Sequence, residues 1–487
     1  MRSTTALALT AALPLTYAQT LSNETVLGVY MFHRHGDRTA KSTPPANLTT
    51  LGYREVYTSG QYYRSRYIAS SAAYQIDGIE NDVVRQSQIA VSAPVDTVLE
   101  NSATGFLQGL YPPVGSGLDT ATLRNGTVVE APLDGYQLVP IAVVSSGSGS
   151  EDNGWLQSAS DCAKAEISSN NYFLTAEYAS LLSSTQDFYD GVTPVVNNTF
   201  TSSQISYKNA YTIYDLINVA SIHNASFDPT DIIDTATFSQ LSTLANTHEW
   251  NLAFNASDNM RAVAGMTLAA QVVQFLNTTL TGAGEQKIGI QFGAYGTFAS
   301  FFGLAGLPAV NPNFYGIADY ASAMTFELFT NGSSAAAAYA SEDDVYVRFL
   351  WHNGTTSNIS EPVAYPLFGS GQEALSWNDF TAGMGKFAIG TTEEWCTSCG
   401  NFTGTCAAYA PSSSSSSSDS SGSSKGRSGN GLSPAVNGVI GAMVTLAVVL
   451  GAGSLFMVVG GMRLVSKKRL AQGPGAVAVD GSQMAKA

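Results

Sequence analysis

The densest chemistry in the chain lies at His33-Arg34-His35-Gly36-Asp37-Arg38, where two imidazoles, two guanidiniums and a carboxylate share six positions. A guanidinium fork matches phosphate oxygens bidentately, so Arg34 and Arg38 are candidate phosphate-binding residues. An imidazole between them can attack phosphorus and form a phosphohistidine, which makes His35 the candidate nucleophile. Gly36 is expected to let the backbone come close to the ligand. The plainer alternative is a strand end closed by a solvated polar turn.

The run just before must position these groups. Residues 26–32, VLGVYMF, have the length and the β-branched, aromatic composition of a buried strand. Charge at the C-terminal end of such a strand sits where open α/β sheets place ligands. Residues 49–67 have helical spacing and are expected to pack behind that strand. Residues 83–85 and 89–92 read as short extended segments, and 95–110 as a helix stopped by Pro112-Pro113. Further on, 260–277 reads as an amphipathic helix, 287–292 as a buried strand, 297–304 as a helix and 344–351 as another strand. Strands alternating with helices predict an α/β fold with a parallel-type sheet and helices on both faces. Residues 114 to about 250 are richer in Ser, Asn, Gly and aromatics, with helical pieces at 171–182 and 213–219.

RHGDRTA at 34–40 resembles the RHGxRxP signature of the histidine acid phosphatases, the phosphoglycerate-mutase-like family that includes fungal phytases. Ala40 stands where the family usually has proline. The resemblance continues through 48–67, the ENSATGFLQGLYPP stretch at 100–113, 260–277, 288–307 and 345–353. It spans about 25–408. It implies a three-layer α/β/α core with a smaller, mostly helical cap inserted at about 114–255. It also implies phosphomonoester hydrolysis with Arg34 and Arg38 on phosphate, His35 as nucleophile, and neither cofactor nor metal.

Two departures bear on chemistry. Aligned on Asn101-Ser102-Ala103, Ser92 stands where the family has a third phosphate-binding arginine, and Val98 where that stretch has its second arginine. Arg85 lies seven residues upstream of Ser92. The family's His-Asp pair, which contacts phosphate and protonates the leaving alcohol, is replaced by Tyr295-Gly296. Positioned acid catalysis is worth roughly 10²–10⁴-fold. Tyr295 either donates a hydrogen bond to a phosphate oxygen or fills the space the pair left. His248-Glu249 precedes the 260–277 helix and reads as an ordinary helix-side pair. His223 and His352 each adjoin an asparagine of an Asn-x-Ser/Thr sequon and read as surface residues.

Three readings follow. The first is a phosphomonoesterase with impaired or narrowed activity, using a substitute acid such as Asp37 with pocket water. The second is a pseudo-phosphatase that binds a phosphorylated or other anionic small molecule without efficient turnover. The third, a structural glycoprotein without a ligand, conflicts with the intact RHGxR.

The chain has 487 residues, 44% of them hydrophobic, only 12% charged, and a net charge of −15. That balance argues against nucleic-acid binding, which needs a basic footprint. Residues 1–18 read as a signal peptide cleaved before Gln19. Sequons at Asn23, Asn47, Asn125, Asn197, Asn224, Asn255, Asn277, Asn331, Asn353, Asn358 and Asn401 suit a lumenal glycoprotein. The phosphatase-like domain is expected to span 19–408 and a Ser/Gly-rich stalk 409–435. Residues 436–462 carry no charge and are long enough for a transmembrane helix, followed by a basic cluster and a cytoplasmic tail, 463–487. A glycolipid-anchor signal would not carry that tail. The expectation is a single-pass type I protein at the cell surface or an endomembrane such as the vacuole, with its N-terminal domain outside the cytosol. Cys162, Cys396, Cys399 and Cys406 suggest two disulfides rather than zinc, which lacks a close fourth ligand, and three pairings remain open.

Overall fold

The computed structural model describes residues 24–144, 161–224, 232–282, 285–331 and 344–411. The expected signal peptide, transmembrane segment and tail, and all but the first residues of the stalk, lie outside these. No helix among the described residues is long and apolar enough to cross a membrane.

In chain order, β1 (Thr25–Arg34) leads through α1 (Thr50–Tyr67) and β2 (Ile89–Pro94) to α2 (Thr97–Leu110). A hairpin follows, β3 (Thr120–Thr122) and β4 (Val128–Glu130), then the single turn α3 (Pro132–Gly135) and β5 (Ala142–Val144). Five helices come next: α4 (Ala163–Asn170), α5 (Ala176–Ser184), α6 (Gln186–Val196), α7 (Ala210–His223) and α8 (Thr235–Ala253). The chain returns through α9 (Val263–Thr281), β6 (Ile288–Gly293), α10 (Tyr295–Leu304), β7 (Ala323–Thr330) and β8 (Val345–His352). It closes with β9 (Val363–Ala364), β10 (Ala374–Ser376), α11 (Trp377–Met384) and α12 (Thr392–Cys399).

The main sheet runs β10-β8-β7-β1-β6-β2-β5, with β9 on the edge of β8. It corrects the expectation of a parallel-type sheet. β1, β6, β2 and β5 are parallel, but β7, β8, β9 and β10 are antiparallel. A buried antiparallel strand is as continuously apolar as a parallel one, so composition does not reveal direction. Residues 83–85 are likewise not a strand. They lead into a 3₁₀ turn at Gln86–Gln88, and Arg85 is an exposed side chain 3.6 Å from Glu80.

β1 lies between β6 and β7, and everything after Thr25 in it is buried. One face packs Phe32, Tyr30 and Leu27 against α9 and α10. The other packs Val29 and Met31 against α1 and α2. Each such side chain contributes about 1.5–3 kcal/mol by leaving water. The helices α5 to α8 carry a smaller core of their own around Tyr189, Tyr207 and Leu241. Glu327, fully buried in the middle of β7, receives Arg348 at 2.7 Å, Arg66 at 3.1 Å and the Tyr67 hydroxyl at 2.8 Å. The cysteines pair as Cys162–Cys399 and Cys396–Cys406. The first bridge ties the start of α4 to the end of α12.

Candidate active site

Three connections converge at one edge of the sheet. β1 and β6 are parallel with Arg34 opposite Gly293, so His35–Arg38 and Ala294–Gly296 emerge side by side. On the other flank, β7 runs antiparallel from Ala323 opposite His33, which brings in the loop before it. Two backbone bonds fasten that loop: Arg34 N–H donates to Ser322 O and Ala321 N–H to His35 O, both at 2.8 Å. α1 begins directly behind. Its N-cap Thr49 accepts from Gly52 N–H at 3.0 Å, and the Thr49 hydroxyl donates to the Asp37 carboxylate. A Cβ on Gly36 would lie 2.2 Å from the Gly52 carbonyl oxygen. Gly36 is therefore required by close backbone approach to α1.

His35 is fully buried and its Nδ1 lies 2.8 Å from the Gly36 carbonyl. A carbonyl only accepts, so Nδ1 carries the proton and Nε2 the lone pair. Burial, then the charges of Arg34 and Arg38, hold the ring well below the usual histidine range despite the opposing carbonyl bond. The ring is thus neutral with a fixed tautomer, the form a nucleophile would need. His33, pointing to the other face, packs its ring 5.0 Å from that of Phe106, and burial lowers it to about 4. It is a core histidine.

Arg34 donates to the Ala318 carbonyl, and its guanidinium lies 4.6 Å from the Tyr320 ring and 5.3 Å from the Tyr295 ring. Arg38 is fully buried. Its Nη1 lies 3.1 Å from the Asp215 carboxylate and its Nη2 donates to the Tyr211 hydroxyl at 2.9 Å. Asp215 also accepts from Lys41 N–H at 2.8 Å and from the Tyr320 hydroxyl at 3.4 Å. Tyr320 closes the group, its ring 5.5 Å from that of His35.

A cavity of about 260 Å³ adjoins this cluster, lined by Arg34, Tyr211, Tyr214, Asp215, Asn218 and Tyr320 among others. Tyr211, Tyr214, Asp215 and Asn218 follow i, i+3, i+4, i+7 spacing, one polar stripe of α7. That stripe was visible in the sequence as a pattern and was not among the expected site residues.

Tyr295 is the first residue of α10, buried, and close to Arg34 as the second motif requires. Its hydroxyl donates to Glu249 Oε2 at 2.8 Å, and Glu249 Oε1 is 2.7 Å from His248 Nδ1. The proton that could have served a phosphate oxygen is committed to this carboxylate. This corrects the reading of His248-Glu249 as an ordinary pair: α8 packs against α10, which sequence order conceals. Burial, then the Glu249 charge, push the Tyr295 hydroxyl far above the usual phenol range, so it is no acid at ordinary pH. A Cβ on Gly296 would meet open space.

Ser92 lies in β2 opposite Gln291 and does not line the cavity. Val98 is buried in the first turn of α2, its carbonyl accepting from Ser102, whose Oγ accepts from Gly36 N–H at 3.2 Å. Asp37 is buried, and its Oδ1 is 2.6 Å from His223 Nε2. His223 is exposed, as expected, and also reaches Asp37, since α7 ends beside the Asp37 turn. His352 is half-buried, its Nε2 3.1 Å from Thr355 O. No metal-binding cluster of His, Cys, Asp or Glu occurs among the described residues.

Comparison with solved structures gives phytases from Hafnia alvei and Citrobacter braakii, each 13% identical with a TM-score of 0.49. The alignments cover 77% of this chain and 98% and 99% of those chains. The D. castellii phytase is 15% identical with a TM-score of 0.48, over 78% of this chain and 82% of its own. No curated protein matches. The family model for the histidine phosphatase superfamily (branch 2) matches residues 43–352, from just beyond Arg38 to the end of β8. By that match, the chain belongs to branch 2 of the histidine phosphatase superfamily.

Proposed function

We propose that the protein hydrolyses phosphomonoesters through a phosphohistidine on His35, with activity narrowed by the loss of a dedicated acid. The observation that carries this reading is the neutral His35 held between Arg34 and Arg38, with Nε2 as its nucleophilic nitrogen. Arg34 and Arg38 bind the phosphoryl oxygens. Nε2 attacks phosphorus as the P–O bond to the alcohol breaks. The departing oxygen takes its proton from the monoanionic phosphate or from water, because neither Tyr295 nor Gly296 supplies one. Water then attacks phosphorus as the P–Nε2 bond breaks, giving up a proton, releasing inorganic phosphate and restoring neutral His35. The test is acid-quenched labelling of the full chain with a ³²P-labelled aryl phosphate. Label should appear on His35 and vanish in His35→Ala. Turnover that persists in His35→Ala would end the reading.

A second reading has its own observation. Arg38 is already paired with Asp215, and His35 and Arg38 are fully buried. A pseudo-phosphatase that binds a phosphorylated or anionic small molecule without turnover would be built this way. Phosphate binding without labelling of His35 selects it.

We also propose that the protein is a type I membrane glycoprotein, anchored by 436–462, with the phosphatase domain outside the cytosol. The sequons, the leader and the basic cluster after 462 support this. Glycosidase should lower the apparent mass of the expressed protein. Protease added outside intact cells or sealed vesicles should locate the domain, and digestion from the cytosolic face would reverse the topology.

A further inference from the structure

The cavity beside His35 has an unusual charge for a phosphate site. Of its lining residues, Arg34 is the one cation, while Asp215 and Asp319 contribute two carboxylates. Two further cations stand by the site without lining the cavity: Arg38, and Lys41, whose ammonium is 5.6 Å from the Tyr211 ring and whose charge also acts on His35. The rest of the wall is hydroxyl and amide, including Tyr214, Asn218 and Asn246. Asp215 is buried and already takes donors from Arg38, Lys41 N–H and Tyr320. Asp319 is exposed, fixed by the Asn353 amide at 3.2 Å.

A first phosphate on Arg34 and Arg38 occupies both guanidiniums of the site. A second phosphate on the same substrate, lying in the cavity, would face two carboxylates and no lining cation other than the engaged Arg34, a like-charge juxtaposition that weakens binding. Tyrosine hydroxyls and asparagine amides, by contrast, can both give and take hydrogen bonds with alcohol groups.

We infer that the cavity takes a phosphomonoester bearing one phosphate on an uncharged, hydroxyl-bearing body, and that Asp215 and Asp319 exclude polyphosphates. This rests on the reading that phosphate binds between Arg34 and Arg38. It assigns the substrate class of that site.

The experiment titrates the full chain with inorganic phosphate, glycerol 2-phosphate and inositol hexakisphosphate at one pH and matched ionic strength, reading thermal stabilisation. Inorganic phosphate and glycerol 2-phosphate should both stabilise. The hexakisphosphate should bind at least about ten-fold more weakly despite offering more phosphates. Asp319→Asn should narrow that gap, since it removes a cavity charge remote from Arg38. Asp215→Asn should narrow it further, and Asp319→Asn keeps the test intact if the buried substitution unfolds the protein. Hexakisphosphate binding as tightly as glycerol 2-phosphate, or a gap unmoved in Asp319→Asn, overturns the inference while leaving the phosphate site standing. Failure of inorganic phosphate and glycerol 2-phosphate alike to bind removes the underlying site and the inference with it.

Discussion

The Asp215 carboxylate stands 3.1 Å from Nη1 of Arg38, both side chains buried, one on the helical insertion and the other on the loop after β1. The insertion thus places a negative charge against the guanidinium proposed to hold a phosphate. A carboxylate in that position is a built-in competitor.

Asp215→Asn should therefore tighten phosphate binding, by about ten-fold if one charge-assisted contact is restored to the ligand. The ligand-free protein should melt lower, because breaking a buried pair leaves Arg38 uncompensated. Calorimetric titration with phosphate and thermal melts read the two effects. Weaker phosphate binding in the variant would instead make Asp215 the residue that orients Arg38.

Rate should depend steeply on the leaving group. Without a positioned acid, an alkyl phosphate must expel a basic alkoxide, whereas a nitrophenyl phosphate needs little protonation. Tyr295→His with Gly296→Asp should raise alkyl-phosphate turnover by about 10²-fold at most, since the space beside Gly296 is open. Ser92→Arg added to them, as the alignment suggests, should help less than its family role implies, because Ser92 does not line the cavity. Equal wild-type rates on alkyl and aryl phosphates would reveal an acid elsewhere.

Tyr295→Phe should leave phosphate affinity unchanged, because the hydroxyl is spent on Glu249. It should lower stability by about 1–3 kcal/mol, since Glu249 loses a donor. A marked fall in phosphate affinity would show that the hydroxyl turns to the ligand when it binds.

Glu55 supplies a pH signature. Burial first, against the Asp37 N–H bond, raises its carboxyl from 4.5 to about 6. A group raised on folding holds extra protons in the native state, so its contribution to stability is present below about 4.5 and lost as pH rises to about 6. The effect amounts to about 2 kcal/mol at most. Glu55→Gln should flatten this stretch of the stability curve in denaturant melts from pH 4 to 7. An unchanged slope would assign it to other groups.

Much of the frame was legible because the signals were local. A continuous apolar run ending in His33–Arg38 read as a buried strand with a charged exit, and β1 is that strand. The Tyr295-Gly296 replacement was legible because β6 and its exit kept their pattern. Strand direction was not, since AMTFELFT of β7 is buried throughout and gives no alternation to read. Nor were the partners of the site. Asp215 reaches Arg38 across 177 positions and Glu249 reaches Tyr295 across 46, contacts that only packing between helices creates. Glu249 in particular was set aside for being one element too early, a criterion of chain order that space does not respect.

Glu327 has a consequence for the environment the fold can inhabit. Burial alone would raise this carboxyl, but Arg66, then Arg348, outweigh it and hold it below the usual range. A depressed carboxyl keeps its charge in the fold below the point where an ordinary glutamate would have taken up its proton, while its contribution to stability is lost progressively as pH falls from the unfolded value through the folded one. The clamp joining α1, β7 and β8 thus stays charged at a pH that already protonates an ordinary glutamate, and the buried cross-link outlasts its exposed counterparts on acidification.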